Sequence, residues 1–127
     1  MSARFLGSAP SFGVYVYEPT AGTVGPLTTL LPFEALGRQY YRLMFWAENP
    51  GTADVTLILS TSERGVLPDA ANYQTVIQSG QQGHIDMLNT LYQYWELEAH
   101  TDPGSGYPVQ SLTWGVVGVP RQWGNTQ

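Results

Sequence analysis

The chain has 127 residues, enough for one domain that buries roughly two thirds of its unfolded surface, and it is 43% hydrophobic but only 12% charged. That balance excludes a disordered chain, and the absence of cysteine excludes disulfide, zinc-thiolate and thiol chemistry. Ten acidic residues against five arginines and no lysine give a net charge of -5; the scattered cations Arg4, Arg38, Arg42, Arg64 and Arg121 speak against direct nucleic-acid binding.

Residues 1 to 11 are small and polar around Arg4, Phe5 and Leu6 and read as an N-terminal arm. From Phe12 the pattern has period two, with Phe12, Val14 and Val16 on one face and Tyr15 and Tyr17 on the other, and Glu18-Pro19 predicts the strand's end. A Gly/Pro/Thr loop from Pro19 to Pro26 precedes a short strand over Leu27 to Leu31, which Pro32 is expected to terminate. Phe33 to Gly37 has room for one helical turn.

Gln39 to Glu48 is the longest strong strand. Tyr41, Leu43, Phe45 and Ala47 share one face and Tyr40, Arg42, Met44 and Trp46 the other, so both faces carry large side chains. Asn49-Pro50-Gly51-Thr52 has turn chemistry, and Ala53 to Ser60 follows with Val55, Leu57 and Leu59 on one side. Together these predict a hairpin.

Further strands are predicted over Tyr73 to Ser79 and His84 to Leu88, separated by the turn Gly80-Gln81-Gln82-Gly83. Leu91 to His100 alternates, with Leu91, Trp95, Leu97 and Ala99 opposite Tyr92, Tyr94, Glu96, Glu98 and His100. After a turn-forming loop from Thr101 to Pro108, Ser111 to Val119 is the last strand, with Leu112, Trp114 and Val116 opposite Val117 and Val119. Pro120 stops it and leaves residues 120 to 127 as a tail carrying Trp123.

Seven or eight strands spaced by Gly/Pro turns, without a fixed repeat, predict an all-β antiparallel β-sandwich over residues 12 to 119. Jelly-roll and immunoglobulin-like strand orders both satisfy the pattern. The first ten residues lack the apolar core of a signal peptide, and no apolar run approaches the roughly 18 residues that span a bilayer. Neither Sec export nor a membrane partner is expected.

Catalytic constellations are thin. Glu96 and Glu98 lie about 7 Å apart on one strand face, a pairing that glycoside hydrolysis uses but that a solvated face also produces. His84 with Asp86 and His100 with Asp102 are two-residue sets where zinc needs three or four ligands, and Asp102-Pro-Gly-Ser-Gly offers calcium a single carboxylate. No Gly-x-Ser-x-Gly elbow occurs, and Schiff-base chemistry and the P-loop need the missing lysine. A non-enzymatic protein without cofactor or metal is expected.

Aromatic residues carry more information. Tyr15, Tyr17, Tyr40, Tyr92 and Tyr94 fall opposite the most apolar faces, where they predict either an outer tyrosine stripe, suited to protein contact or sugar stacking, or rings covered within the domain. Phe5 and Leu6 on the arm and Trp123 on the tail lie outside the domain's own apolar pattern. Exposed apolar groups of that kind either dock on a partner or fold back on their own sandwich, and partner docking is the expectation. The expected partner-binding set is therefore Arg4, Phe5, Leu6, Tyr92, Tyr94 and Trp123.

The stretch from Tyr40 to His100 resembles small β-sandwich modules of tailed-bacteriophage virions. The resemblance is carried by Tyr-Tyr-Arg-Leu-Met-Phe-Trp-Ala-Glu, Asn-Pro-Gly-Thr, Ala-Asp-Val-Thr-Leu-Ile-Leu-Ser, Ser-Gly before His-Ile-Asp-Met-Leu, and Leu-Tyr-Gln-Tyr-Trp-Glu-Leu. It covers about half the chain and brings no catalytic residue with it. It implies a virion structural protein assembled in the host cytoplasm, foremost a capsid decoration protein bound to the major capsid protein. Self-association, including a trimer, belongs to the same expectation. A glycan-binding module and a tail, neck or fibre component are the rival readings.

Overall fold

A computed structural model describes residues 13–62, 73–87 and 93–121, and among these residues period-two alternation of apolar side chains produces eight strands. The strands are β1 (Val14–Val24), β2 (Thr28–Glu34), β3 (Tyr40–Glu48), β4 (Val55–Ser62), β5 (Tyr73–Ile77), β6 (Gln82–Met87), β7 (Tyr94–Thr101) and β8 (Gln110–Pro120). One helical turn, α1 (Leu36–Gln39), joins β2 to β3, and a short 3-10 turn (Pro103–Ser105) lies between β7 and β8.

Two four-stranded antiparallel sheets pack as a sandwich, one in the order β1-β8-β3-β6 and the other β2-β7-β4-β5. The pairing is nested: β1 lies against β8, β2 against β7, β3 against β6 and β4 against β5. The first half of the chain thus runs antiparallel to the second half like one long hairpin. Rolling that hairpin brings β8 onto β3 and β7 onto β4, which closes each sheet. This is the jelly-roll order, which decides between the two topologies the sequence allowed.

The predicted hairpin between residues 39 and 60 does not form. β3 pairs with β6 and β8, β4 pairs with β5 and β7, and the segment from Asn49 to Asp54 crosses between the sheets instead. Two predicted strand ends also move. β1 continues through Pro19 and β2 through Pro32, and both strands shift register near these prolines. Proline lacks the N–H that a central strand needs, but β1 and β2 are edge strands with bulges, where that donor is not required.

The inner faces meet in a core built from Leu43, Phe45 and Ala47 of β3, Leu112, Trp114 and Val116 of β8, Val55, Leu57 and Leu59 of β4, and Trp95, Leu97 and Ala99 of β7. Trp95 stacks on Phe45 across the two sheets, with ring centroids 6.1 Å apart and planes 28° apart. The other face of β3 is buried as well: Met44 and Trp46 form a second cluster with Val117, flanked by Tyr15. Trp46 lies over Gly115, where an added Cβ would stand 2.5 Å from its ring. The large side chains on both faces of this segment therefore mark an interior strand.

Candidate functional site

The nested pairing sorts the connections onto two ends. One end carries Gly13, α1 and Arg121, so the described chain begins and finishes there: Val14 lies opposite Gly118, and Tyr40 opposite Pro120. The distal end carries the connections 25–27, 49–54, 78–81 and 102–109.

At the terminal end, α1 is fixed to the start of β7 by Gly37 N–H donating to the Gln93 carbonyl at 2.9 Å. Its exposed face presents Arg38. The Arg38 Nε donates to Gln93 Oε1 at 2.8 Å, Nη2 donates to the Tyr94 hydroxyl at 3.3 Å, and the guanidinium lies over the Tyr94 ring at 5.5 Å. Arg121, just beyond β8, donates from Nε to the Gly37 carbonyl at 2.9 Å. Between them opens a shallow pocket of about 360 Å³ lined by Arg38, Gln39, Tyr40, Pro120 and Arg121. Gly118 leaves room for Tyr40 and Val16, both of which would stand within 3 Å of an added Cβ.

Of the expected partner-binding residues, Tyr94 belongs to this end and is half-buried, with one ring face occupied by Arg38. Arg4, Phe5, Leu6, Tyr92 and Trp123 lie outside the described residues, as do the arm through residue 12 and the tail from residue 122.

The tyrosine stripe divides. Tyr15 keeps to the outer face of its sheet, but a bulge after it turns Tyr17 toward the core, 6.0 Å from Trp114. Burial, with Glu34 and Tyr40 nearby, raises the Tyr17 phenol above its usual range. A register shift between Tyr40 and Arg42 likewise packs Tyr40 against the core. A one-residue bulge inverts the faces beyond it, which strict alternation cannot anticipate.

Three of the side chains weighed as metal ligands, Asp86, Asp102 and His100, have structural partners. Asp86 is ion-paired with Arg42 at 3.0 Å across β6 and β3, and that hydrogen bond raises the Arg42 guanidinium further above its usual range. Asp102 caps the 3-10 turn, accepting from Gly104 N–H at 3.0 Å and Ser105 Oγ at 2.9 Å. His100 places Nδ1 at 2.8 Å from the Thr101 carbonyl, and its ring meets Tyr107 edge-on at 5.7 Å. Among the described residues no group of three or more His, Asp or Glu side chains is placed to hold a metal ion. Nor is any described helix long and apolar enough to cross a membrane.

Glu96 and Glu98 share the outer face of β7, opposite Ser60 and Ile58. Partial burial, then the neighbouring Glu98, raises the Glu96 carboxyl above its usual range. A carboxyl raised on folding favours the native state below its unfolded pKa and loses that contribution as pH rises through its folded value. Glu96→Gln is therefore expected to raise the urea midpoint at pH 7 and to leave it unchanged near pH 3. Equal shifts at both pH values would show that charge is not the cause.

The distal end carries exposed apolar side chains outside the expected partner-binding set. Leu27, Tyr107 and Val109 are 59%, 39% and 71% exposed, and Val109 and the Tyr107 carbonyl lie close against Gly25, beside Leu27 in the β1–β2 turn. Tyr107 is the one non-glycine residue among those described with positive φ, at 55°. The available signal was apolar side chains inside Gly/Pro-rich turns, Gly-Pro-Leu and Gly-Tyr-Pro-Val.

Compared with known proteins, the chain matches no family model, and neither a curated protein nor a solved structure matches it.

Proposed function

We propose that the protein is a non-enzymatic virion structural protein, foremost a capsid decoration protein, that docks on its assembly through the terminal end of the jelly roll. The observation that carries the docking reading is the convergence of both chain exits: Val14 stands opposite Gly118 on adjacent strands, and the pocket between Arg38 and Arg121 opens beside them. In this reading the residues before Val14, with Arg4, Phe5 and Leu6, and those after Arg121, with Trp123, grip one partner together, because the strands they adjoin are neighbours. Virion identity draws on the resemblance of residues 40 to 100, and the jelly roll supports it as a fold found in capsid domains and lectins alike.

Each subunit bridging its neighbours would stabilise the assembly by mass action, since a ligand that binds only the assembled state favours it. The sugar-stacking alternative loses a component of its platform, because one face of the Tyr94 ring already holds the Arg38 guanidinium.

Removal of residues 1 to 10 tests the reading, since the described strand pairing, from Val14 onward, lies beyond the cut. Light scattering after size-exclusion chromatography is expected to show an oligomer for the full chain and a monomer for the shortened one, with unchanged far-ultraviolet circular dichroism. A full-length monomer indifferent to the truncation would overturn arm docking, and saturable polysaccharide binding by that monomer would establish the glycan reading in its place.

A further inference from the structure

We infer that the exposed apolar patch at the distal end receives the N-terminal residues of a second copy, with Phe5 and Leu6 as anchors and Arg4 beside them. This deepens the docking reading and rests on it, because it names the surface those residues grip.

Three of the four exposed large apolar side chains among the described residues stand at this end: Leu27, Tyr107 and Val109. Pro26 is exposed beside Leu27. The loops that carry them are fastened together. Thr101 donates to the Gly25 carbonyl from its backbone N–H at 2.9 Å and from Oγ1 at 3.1 Å, and Val109 lies close against Gly25. Tyr107 is held against its preference, since the residue before a proline favours extended backbone and Tyr107 has φ 55°. Its N–H donates to the Asp102 carbonyl at 3.0 Å, and the Asp102 carboxylate caps the same turn. An apolar patch fixed in this way loses little freedom on docking.

Charge selects among occupants. Asp102 stands in the loop that carries Tyr107 and Val109, and Ala53 N–H donates to the Gln110 side chain at 3.0 Å, which brings the exposed Asp54 near Val109. The described arginines lie at the terminal end, Arg38 in α1, Arg42 at the start of β3 and Arg121 beyond β8. Two such acidic-rimmed patches repel each other, whereas a segment that joins a cation to apolar side chains complements one. Arg4-Phe5-Leu6 has that composition.

Reach assigns those residues to another copy. Val14 stands opposite Gly118, and from Gly118 back to Val109 the chain runs nine residues, about 30 Å of strand. Phe5 is also nine residues from Val14 and spans at most about 32 Å when fully straight. Because β1 runs toward the distal end, the residues before it would first have to reverse direction, which uses up part of that length. The distal end of a second copy is free of this limit. Such a contact joins one end of a subunit to the other end of the next, and repeats as a ring or a filament.

The experiment is dilution of the full chain followed by light scattering, with single variants and with a synthetic peptide of residues 1 to 12. Leu27→Ser, Val109→Ser and Phe5→Ser should each raise the dissociation constant of the assembly at least about tenfold, as expected for apolar anchors. Val76→Ser, on β5 and exposed to the same 59% as Leu27, should change it less than about twofold. Leu27 and Val109 are exposed, so their replacement leaves the core untouched. The peptide should dissociate the assembly, and a peptide with Arg4, Phe5 and Leu6 replaced by glycine should not.

An assembly that falls apart on removal of residues 1 to 10 but ignores Leu27→Ser and Val109→Ser would overturn this inference and leave the docking reading standing. Sensitivity to both patch variants without sensitivity to that removal would show patch-to-patch pairing and sink arm docking as well. Equal weakening by Val76→Ser, or equal action of the two peptides, would show general surface adhesion and overturn the proposal.

Discussion

Replacing Trp95 by alanine is expected to cost about 3 to 5 kcal/mol of folding stability, the range for removing a large aromatic side chain from a packed core. Trp95 is 1% exposed and sits on β7, while the Phe45 ring it stacks on belongs to β3 in the opposite sheet. Its loss opens a cavity between the layers. The walls are strands held by hydrogen bonds on both sides, so they can move inward only by disturbing a ladder, and the cavity collapses little. Domains of this size have total stabilities of about 5 to 15 kcal/mol, which leaves Trp95→Ala close to unfolding at ambient temperature. Urea denaturation followed by far-ultraviolet circular dichroism measures this without depending on tryptophan emission. Trp95→Phe keeps most of the volume and should lose less than half as much. Equal losses would show that ring volume is not what matters here.

The second large effect comes from one polar residue. Asn49 is fully buried, and all its hydrogen-bonding groups are engaged. Its Nδ2 donates to the carbonyls of Ala53 at 2.8 Å and Ile77 at 3.0 Å, and its Oδ1 accepts from Gly51 N–H at 3.0 Å and Gln110 Nε2 at 2.7 Å. Its backbone N–H donates to Gln81 and its carbonyl accepts from Gly80 N–H. One side chain thus joins the β3–β4 crossing, the end of β5 and the start of β8, clasping both sheets at the distal end.

Asn49→Asp preserves shape but turns the donor that faces two carbonyls into an acceptor. Burying an ionised or unsatisfied polar group costs on the order of 3 kcal/mol at pH 7. The new carboxyl would favour its protonated form in the fold, so its folded pKa rises above the ordinary value near 3.9. The penalty is therefore small below that value, grows as pH rises and levels off above the folded pKa. Urea midpoints of variant and wild type should diverge between pH 3.5 and pH 7. A difference that stays constant across that range would exclude the carbonyl clash.

Asn49 also shows where the sequence was legible and where it was not. The alternation over 40 to 48, 55 to 60, 94 to 100 and 111 to 119 gave the buried faces of four strands, because period two follows directly from the pleat. Alternation fixes which side of a strand faces inward but not which strand lies beside it. A turn-forming tetrapeptide between two apolar segments therefore looked like a hairpin, while it serves as a crossing between sheets. Pro19 and Pro32 read as strand ends for a related reason: edge strands tolerate a missing N–H, and edge position belongs to the whole topology. Tyr94 stood out in its strand, but Arg38 lies 56 residues away and reaches it only through the β2–β3 turn. Arg38 and Arg121 look scattered along the chain and become neighbours only because Tyr40 and Pro120 are paired.

Nested pairing also sets the order in which a nascent chain can become safe. β8 is the last of the described strands to be made, yet it occupies an interior place between β1 and β3, and β7 does the same between β2 and β4. A ribosome adding roughly 5 to 20 residues per second takes about 5 to 20 s to travel from Val14 to Gln110. During that interval β1 and β3 carry unpaired edges beside Leu43 and Phe45, the kind of surface that joins to other chains. Any product ending before β8 keeps those edges permanently. Synthesis therefore has to run through β8 before this sandwich is protected from its own copies.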